Sequence, residues 1–142
     1  MNPPSRARLI AYWITTVFGP ASFVIGGVAH LSRSAQPVEM AAHLGYPPYI
    51  LTILGVWKLA GAIVTVIPGV PRLKEWAYAG FFCLLTSASA SHVLHGDPLV
   101  AAGPFMAAPP LLFLAIVMAS WALRPPSRRL PDAAVTELSS GR

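Results

Sequence analysis

Charge is scarce in this sequence, and acid is scarcer still. Asp and Glu number 5 against 10 Lys and Arg in 142 residues, and charged residues make up 11%. With 55% hydrophobic residues there is too little polar material to coat a soluble domain of this size. Little sequence is left over for a soluble catalytic domain. Cysteine is nearly absent. Cys83 stands alone, so no intramolecular disulfide forms and no C-x-x-C pair exists. That argues against a membrane thiol oxidoreductase working through its own cysteine pairs. The serines near His92 lack a nucleophile elbow, so hydrolase chemistry lacks its parts. No G-K-[ST] follows Gly26-Gly27, so that pair is no phosphate loop. Lipidation boxes and repeats of 20 to 50 residues are absent as well.

What is present is apolar sequence in four long runs, over residues 9–31, 49–67, 76–94 and 104–123. A helix needs roughly 20 apolar residues to cross a bilayer. The runs therefore predict an all-α, four-transmembrane-helix bundle, left-handed and up-down-up-down, with one membrane domain over residues 9–123. The first run is longer than the apolar part of a signal peptide and reads as a retained first span. Residues 1–8 form a basic N-terminus, and residues 124–142 read as a disordered basic C-terminal tail.

Basic residues mark alternate connections. Arg6 and Arg8 precede the first run, Arg72 and Lys74 stand between the second and third, and Arg124, Arg128 and Arg129 follow the fourth. The positive-inside rule puts both termini in the cytoplasm, as an even number of spans requires. Trp13, Trp76 and Trp121 fall at the same inner ends, as an aromatic belt does. The basic residues flank apolar runs and form no single stripe. Anionic lipid explains them and nucleic acid does not.

Local signals refine the spans. Gly19-Pro20 predicts a kink in the first, because proline removes a backbone donor and clashes with the preceding turn. Ser34, Pro37 and Gly45 bracket a short helix in the first connection, with Glu39 and His43 on one face. It is too short to span and is expected to lie in the outer interface. Pro68-Gly69-Val70-Pro71 is a stiff turn. Ala79, Cys83, Ser87 and Ser91 recur every fourth residue and predict a small-residue packing face that takes in Cys83. The fourth span is expected to begin near Pro104 and to pass through Pro109-Pro110 as a kinked helix. A start at Pro110 would leave it about 22 Å long, too short for the hydrocarbon core. Glu75 is expected to support the start of the third span through the helix dipole.

Lys58 is the sharpest chemical signal. It stands near the middle of the second run, where a charged lysine costs about 2.5 to 3.5 kcal/mol on insertion scales. It should face the bundle, either as a ligand-anchoring cation or proton carrier, or as a structural hydrogen-bond hub. Glu39 is its candidate acidic partner, with the hydroxyls of Thr86, Ser87 and Ser89 as alternatives. His30 and His92 fall at predicted outer ends, and His43 and His95 in outer connections. His30 and His92 either line a polar outer pocket or snorkel to the interface. No cysteine or carboxylate pattern accompanies the histidines, so no metal site is expected.

Several stretches together carry a resemblance. Residues 42–49, His-Leu-Gly-Tyr-Pro-Pro at their centre, lead into Trp57-Lys58-Leu59-Ala60-Gly61. Pro68-Gly69-Val70-Pro71 then leads to Glu75-Trp76, and Ala90-Ser91-His92 stands before Gly96-Asp97-Pro98. Over roughly residues 10–123 the sequence resembles the DoxX-like family of small four-helix membrane proteins. The resemblance implies a quinone-linked redox setting at the cytoplasmic membrane. The family's pattern often has lysine where this chain has His30, which puts any role for a second cation in doubt.

Together these readings lead to an auxiliary redox-linked membrane subunit that binds a quinone or lipid-like ligand near Lys58, Trp57, His30, His92 and Glu39. Its partners would be the lipid bilayer and either membrane redox proteins or further copies of itself. The alternatives are a non-enzymatic scaffold or assembly factor, braced by Lys58, and a small transporter.

Overall fold

A computed structural model describes residues 5–100 and 106–130. It is all-helical, with no strand among the described residues. The elements are α1 (Arg6–Phe18), α2 (Phe23–Leu31), α3 (Ala35–His43), α4 (Tyr49–Val66), α5 (Pro71–His95) and α6 (Ala108–Leu123). The stretch Arg6–Leu31, α4 and α5 are long and apolar enough to cross a membrane, and α6 is a shorter apolar helix. The first stretch packs on α4 through α2 and on α6 through α1, while α5 packs on both α4 and α6. The four segments thus close a ring, an arrangement compatible with a four-helix membrane bundle.

The first segment breaks at the expected place. Pro20 opens a single 3-10 turn, Pro20–Ser22, between α1 and α2. The Ser22 hydroxyl donates to the carbonyls of Phe18 (3.1 Å) and Gly19 (2.7 Å), supplying bonds where the helical ladder is interrupted. Just past the break, Phe23 stacks on Phe81 with ring centroids 4.5 Å apart. These two, with Ala62, Tyr78, Leu85 and Val117, form the apolar core. A buried polar knot joins three helices: the Ser120 hydroxyl lies 2.7 Å from that of Thr16 and 2.8 Å from that of Tyr78. The outer surface is apolar, with Ile25, Trp57, Trp76 and Leu112 all exposed, as a lipid-facing surface requires.

The close helix approach is between α2 and α4. A Cβ on Gly27 would stand 2.8 Å from the Leu59 side chain, and one on Gly55 would stand 2.7 Å from that of Leu31. Each would also lie 3.1 Å from the other glycine's carbonyl oxygen, so the crossing needs both glycines. The expected small-residue face on α5 is not the packed one. Ala79, Cys83 and Ser87 are exposed. The inward face instead carries Lys74, Tyr78, Phe81, Leu85, Ser89 and His92. The two stripes lie on different faces of the helix, and the larger side chains turn inward because the ring leaves a core to fill.

The fourth segment also departs from expectation. Helix α6 begins at Ala108, so Pro109 and Pro110 sit in its first turn, where missing N–H groups cost nothing. Ala107, before it, is fully buried in non-helical backbone. Its N–H donates to the Pro98 carbonyl (3.2 Å), and its carbonyl accepts from the Ser89 hydroxyl (2.6 Å). Irregular backbone is tolerated there because protein groups satisfy it. The expected start at Pro104 lies outside the described residues.

Cations gather at one end of the ring. Lys74 is 1% exposed and donates to the carbonyls of Val64 (2.7 Å), Thr65 (2.9 Å) and Ile67. It thereby caps the C-terminus of α4. Glu75 does more than sit at a helix start. It accepts from Arg124 Nη2 (2.7 Å) and Trp121 Nε1 (2.8 Å), tying α5 to the end of α6. The chain after α6 docks through Leu123's successors: Arg128 donates to the Val66 carbonyl (2.9 Å), and Arg129 to those of Arg124 (2.7 Å) and Ala122 (2.6 Å). The expectation of disorder from residue 124 therefore fails over residues 124–130, because arginines there satisfy open helix ends. Residues 131–142 lie outside the described residues.

Candidate functional site

At the opposite end, α2, α3, α4, α5 and the start of α6 line an open cavity of about 710 Å³. Its walls are mainly apolar, with Phe23, Met40, Leu51, Leu84 and Phe113 among them. Polar side chains are few, and Lys58, His30 and His92 are three of them. Lys58 stands halfway along α4, so its amine reaches the cavity well inside the bundle.

The partner of Lys58 is His30. Lys58 Nζ lies 3.1 Å from His30 Nε2, and His30 Nδ1 lies 2.7 Å from the Gly26 carbonyl oxygen. A carbonyl only accepts, so Nδ1 carries the proton and Nε2 offers its lone pair to the Lys58 amine. The amine also lies 5.9 Å from the centre of the Phe23 ring. Neither Glu39 nor a hydroxyl of Thr86, Ser87 or Ser89 fills the place. Thr86 donates back to its own helix at Phe82, and Ser89 donates to Ala107.

His92 is buried, and its Nδ1–H donates to Asp97 Oδ2 at 2.6 Å. Gly96 makes this contact possible. Its left-handed backbone (φ 91°) ends α5 and turns the chain so that the Asp97 N–H returns to the His92 carbonyl. Asp97 also accepts from His43 Nε2, at 2.7 Å to Oδ1 and 3.0 Å to Oδ2. The His43 ring meets the His95 ring edge to face, with centroids 4.4 Å apart. Burial works to raise the Asp97 carboxyl. Hydrogen bonds from His92 and His43, and the charge of both, outweigh it and hold the group below the ordinary value of 3.8. Beside this cluster the Tyr46 hydroxyl lies 2.6 Å from that of Ser91, a second link between the α3–α4 connection and α5.

The structure thus brings Lys58, His30 and His92 to one cavity and leaves two candidates outside it. Trp57 is 71% exposed on the outer face of α4, one residue and about 100° around the helix from Lys58. Glu39 is exposed on α3, while Pro37 and Ala41 form the buried side of that helix. Asp97 and His43 are the residues that sequence reasoning missed. The available signal was the tight spacing His92, His95, Gly96, Asp97 at a helix end. For metal, the atoms that could ligate on His43, His95 and Asp97 all lie within 4.8 Å of one another.

No curated protein and no solved structure matches this chain. A family model described as the DoxX-like family matches residues 14–120, which takes in the core, the cavity-lining helices and the Lys58, His92 and Asp97 positions. With most of the chain matched and several apolar helices of membrane-spanning kind, this multi-pass integral membrane protein belongs to the DoxX-like family.

Proposed function

We propose that the cavity binds a quinone or a similar lipid-like carbonyl compound, and that the protein serves as an auxiliary redox-linked subunit of a membrane assembly. The observation that carries this reading is the Lys58 amine, held by His30 inside a cavity of about 710 Å³ with mainly apolar walls. Small-molecule sites are of this kind: hundreds of cubic ångströms, apolar, with a few polar groups that orient the ligand. The Lys58 amine has donors beyond the one given to His30 and would donate to a ligand carbonyl oxygen. Apolar walls would take the ring and tail. His92, polarised by Asp97, lines the same cavity and would relay a proton. Basic residues at the other end support cytoplasmic termini and an inner-membrane location, with the cavity end facing outward.

The rival is a scaffold or assembly factor in which Lys58 only braces α4 against α2. The Lys58–His30 bond between those helices favours it specifically. Lys58→Met separates the two. Wild type and variant, in lipid nanodiscs, would be titrated with a long-chain quinone and read by native mass spectrometry and thermal melting. The binding reading expects stoichiometric quinone on wild type, about tenfold weaker retention on the variant (~1.4 kcal/mol) and nearly unchanged melting. A lowered melting temperature with no quinone on either protein would replace it with the scaffold.

A further inference from the structure

We propose that His43, His95 and Asp97 form a transition-metal site, best matched to zinc, at the cavity end of the bundle. The site stands apart from the quinone reading and survives its failure. The three potential ligands come from two parts of the chain: His43 from the end of α3, and His95 and Asp97 from the last turn of α5 and the turn that follows. Their ligating atoms fall within 4.8 Å of one another. Two imidazoles and a carboxylate are the donor set that zinc accepts at a site with a fourth, open position. Calcium and magnesium prefer all-oxygen surroundings.

The arrangement around the cluster resembles a metal site more than an ordinary surface ion pair. Asp97 is held from behind by His92, which is 4% exposed and lies 2.6 Å from Oδ2. A ligand fixed by a buried second residue is the usual support of a metal centre. The glycine at φ 91° aims the carboxylate, so the backbone too is set before an ion arrives. The His43 Nε2–Asp97 Oδ1 contact, 2.7 Å, is where the ion enters. A metal replaces the shared proton, and the nitrogen and oxygen separate to roughly 3.3 Å, the edge of a tetrahedron with bonds of about 2.0 Å. That is a movement of about half an ångström at the end of a nine-residue helix. His95 is exposed and able to turn onto the ion.

The consequence reaches the cavity. Met40 and Ala41 of α3 line it, as does His92. An ion joining His43 to Asp97 and His95 would fasten α3 to the end of α5 and hold that wall of the cavity closed.

The test uses the full chain without a histidine tag, in nanodiscs. Zn²⁺ binding is measured against a chromophoric chelator, and Co²⁺ gives the visible spectrum of the site. The expected result is about one ion per chain, with intense visible Co²⁺ bands. His95→Ala, at an exposed position, and His43→Gln each weaken binding by tenfold or more while melting without metal stays close to wild type. Wild-type binding no tighter than millimolar overturns the proposal, as does binding that both variants leave unchanged.

Discussion

The two ends of the bundle use polar residues in opposite ways. At the basic end, cations turn mostly onto backbone, with Arg124 also pairing with Glu75. Lys74 takes carbonyls at the end of α4, Arg128 takes the Val66 carbonyl beside them, and Arg8 and Arg129 both reach the Ala122 carbonyl near the end of α6. Helix C-termini carry unpaired carbonyls and a negative dipole end, so each contact closes the structure. At the histidine end, side chains meet side chains. His30 accepts from Lys58, and Asp97 accepts from His43 and His92, around a cavity that the helices do not fill. The same kind of residue thus seals one end and furnishes the other. A buried cation in a membrane protein is a functional candidate by default. The amine of Lys74 is taken up by carbonyls, whereas that of Lys58 faces the cavity, although both are lysines within apolar helices.

The sharpest way to break that contrast is a pair of matched substitutions. Lys74→Met leaves the Val64 and Ile67 carbonyls without the bonds they receive from the amine. Hydrogen bonds to charged groups contribute about 1.5 to 3 kcal/mol each, so a loss of about 3 kcal/mol is expected, seen as a clear fall in the melting temperature in nanodiscs. Lys58→Met should fall far less, because its single described hydrogen-bond partner, His30, keeps the Gly26 bond. Equal losses in the two variants would make Lys58 another seal and remove the distinction.

A second, smaller effect belongs to Glu75. Arg124 is 2% exposed and lies against the Tyr78 ring, 4.9 Å from its centre. Glu75→Gln leaves that guanidinium without its counter-charge and weakens the bond from Trp121. The expected cost is about 2 kcal/mol in melting experiments. Loss of the contact should be specific: Trp121→Phe in the Glu75→Gln background should add little. Full additivity would show that the two bonds act separately.

The basic end also marks how far sequence could lead. Hydropathy located the helices, Gly19-Pro20 located the break, and Gly45 located the end of α3, because each signal is local. Lys74 read as an ordinary orientation-setting cation between the second and third runs. Its burial depends on how the Pro68-to-Pro71 turn folds α5 against α4, which no local pattern specifies. The start of α6 was misplaced for a similar reason. Span length was taken as the constraint, while the structure shortens the helix and buries Ala107 as irregular backbone. At the cavity end, Lys58, His30 and His92 were legible as polar residues in apolar runs. Trp57 was grouped with them by nearness in sequence and Glu39 as the acid of the first connection, and helix rotation turns both side chains away from the cavity. His92, His95 and Asp97 lie within six residues, yet their joint meaning depends on His43, which is far away in the chain.

The smallest predicted effect probes the histidine end by pH. The Asp97 carboxyl is held below its ordinary value of 3.8 in the folded protein, because His92 and His43 favour its charged form. A group whose folded value is depressed lends stability above the unfolded value and loses it as pH falls through the folded one. Its contribution should therefore be present above pH 3.8 and be lost only as pH falls below it. Hydrogen exchange of the α3 and Gly96 amides, followed by mass spectrometry in nanodiscs, should show that end loosening as pH falls below 3.8. In Asp97→Asn the local acid step should be absent, and the α3 amides should exchange faster at every pH. Acid loosening that survives in Asp97→Asn would place its origin elsewhere. The carboxylate would then hold α3 no more firmly than the Tyr46–Ser91 contact beside it.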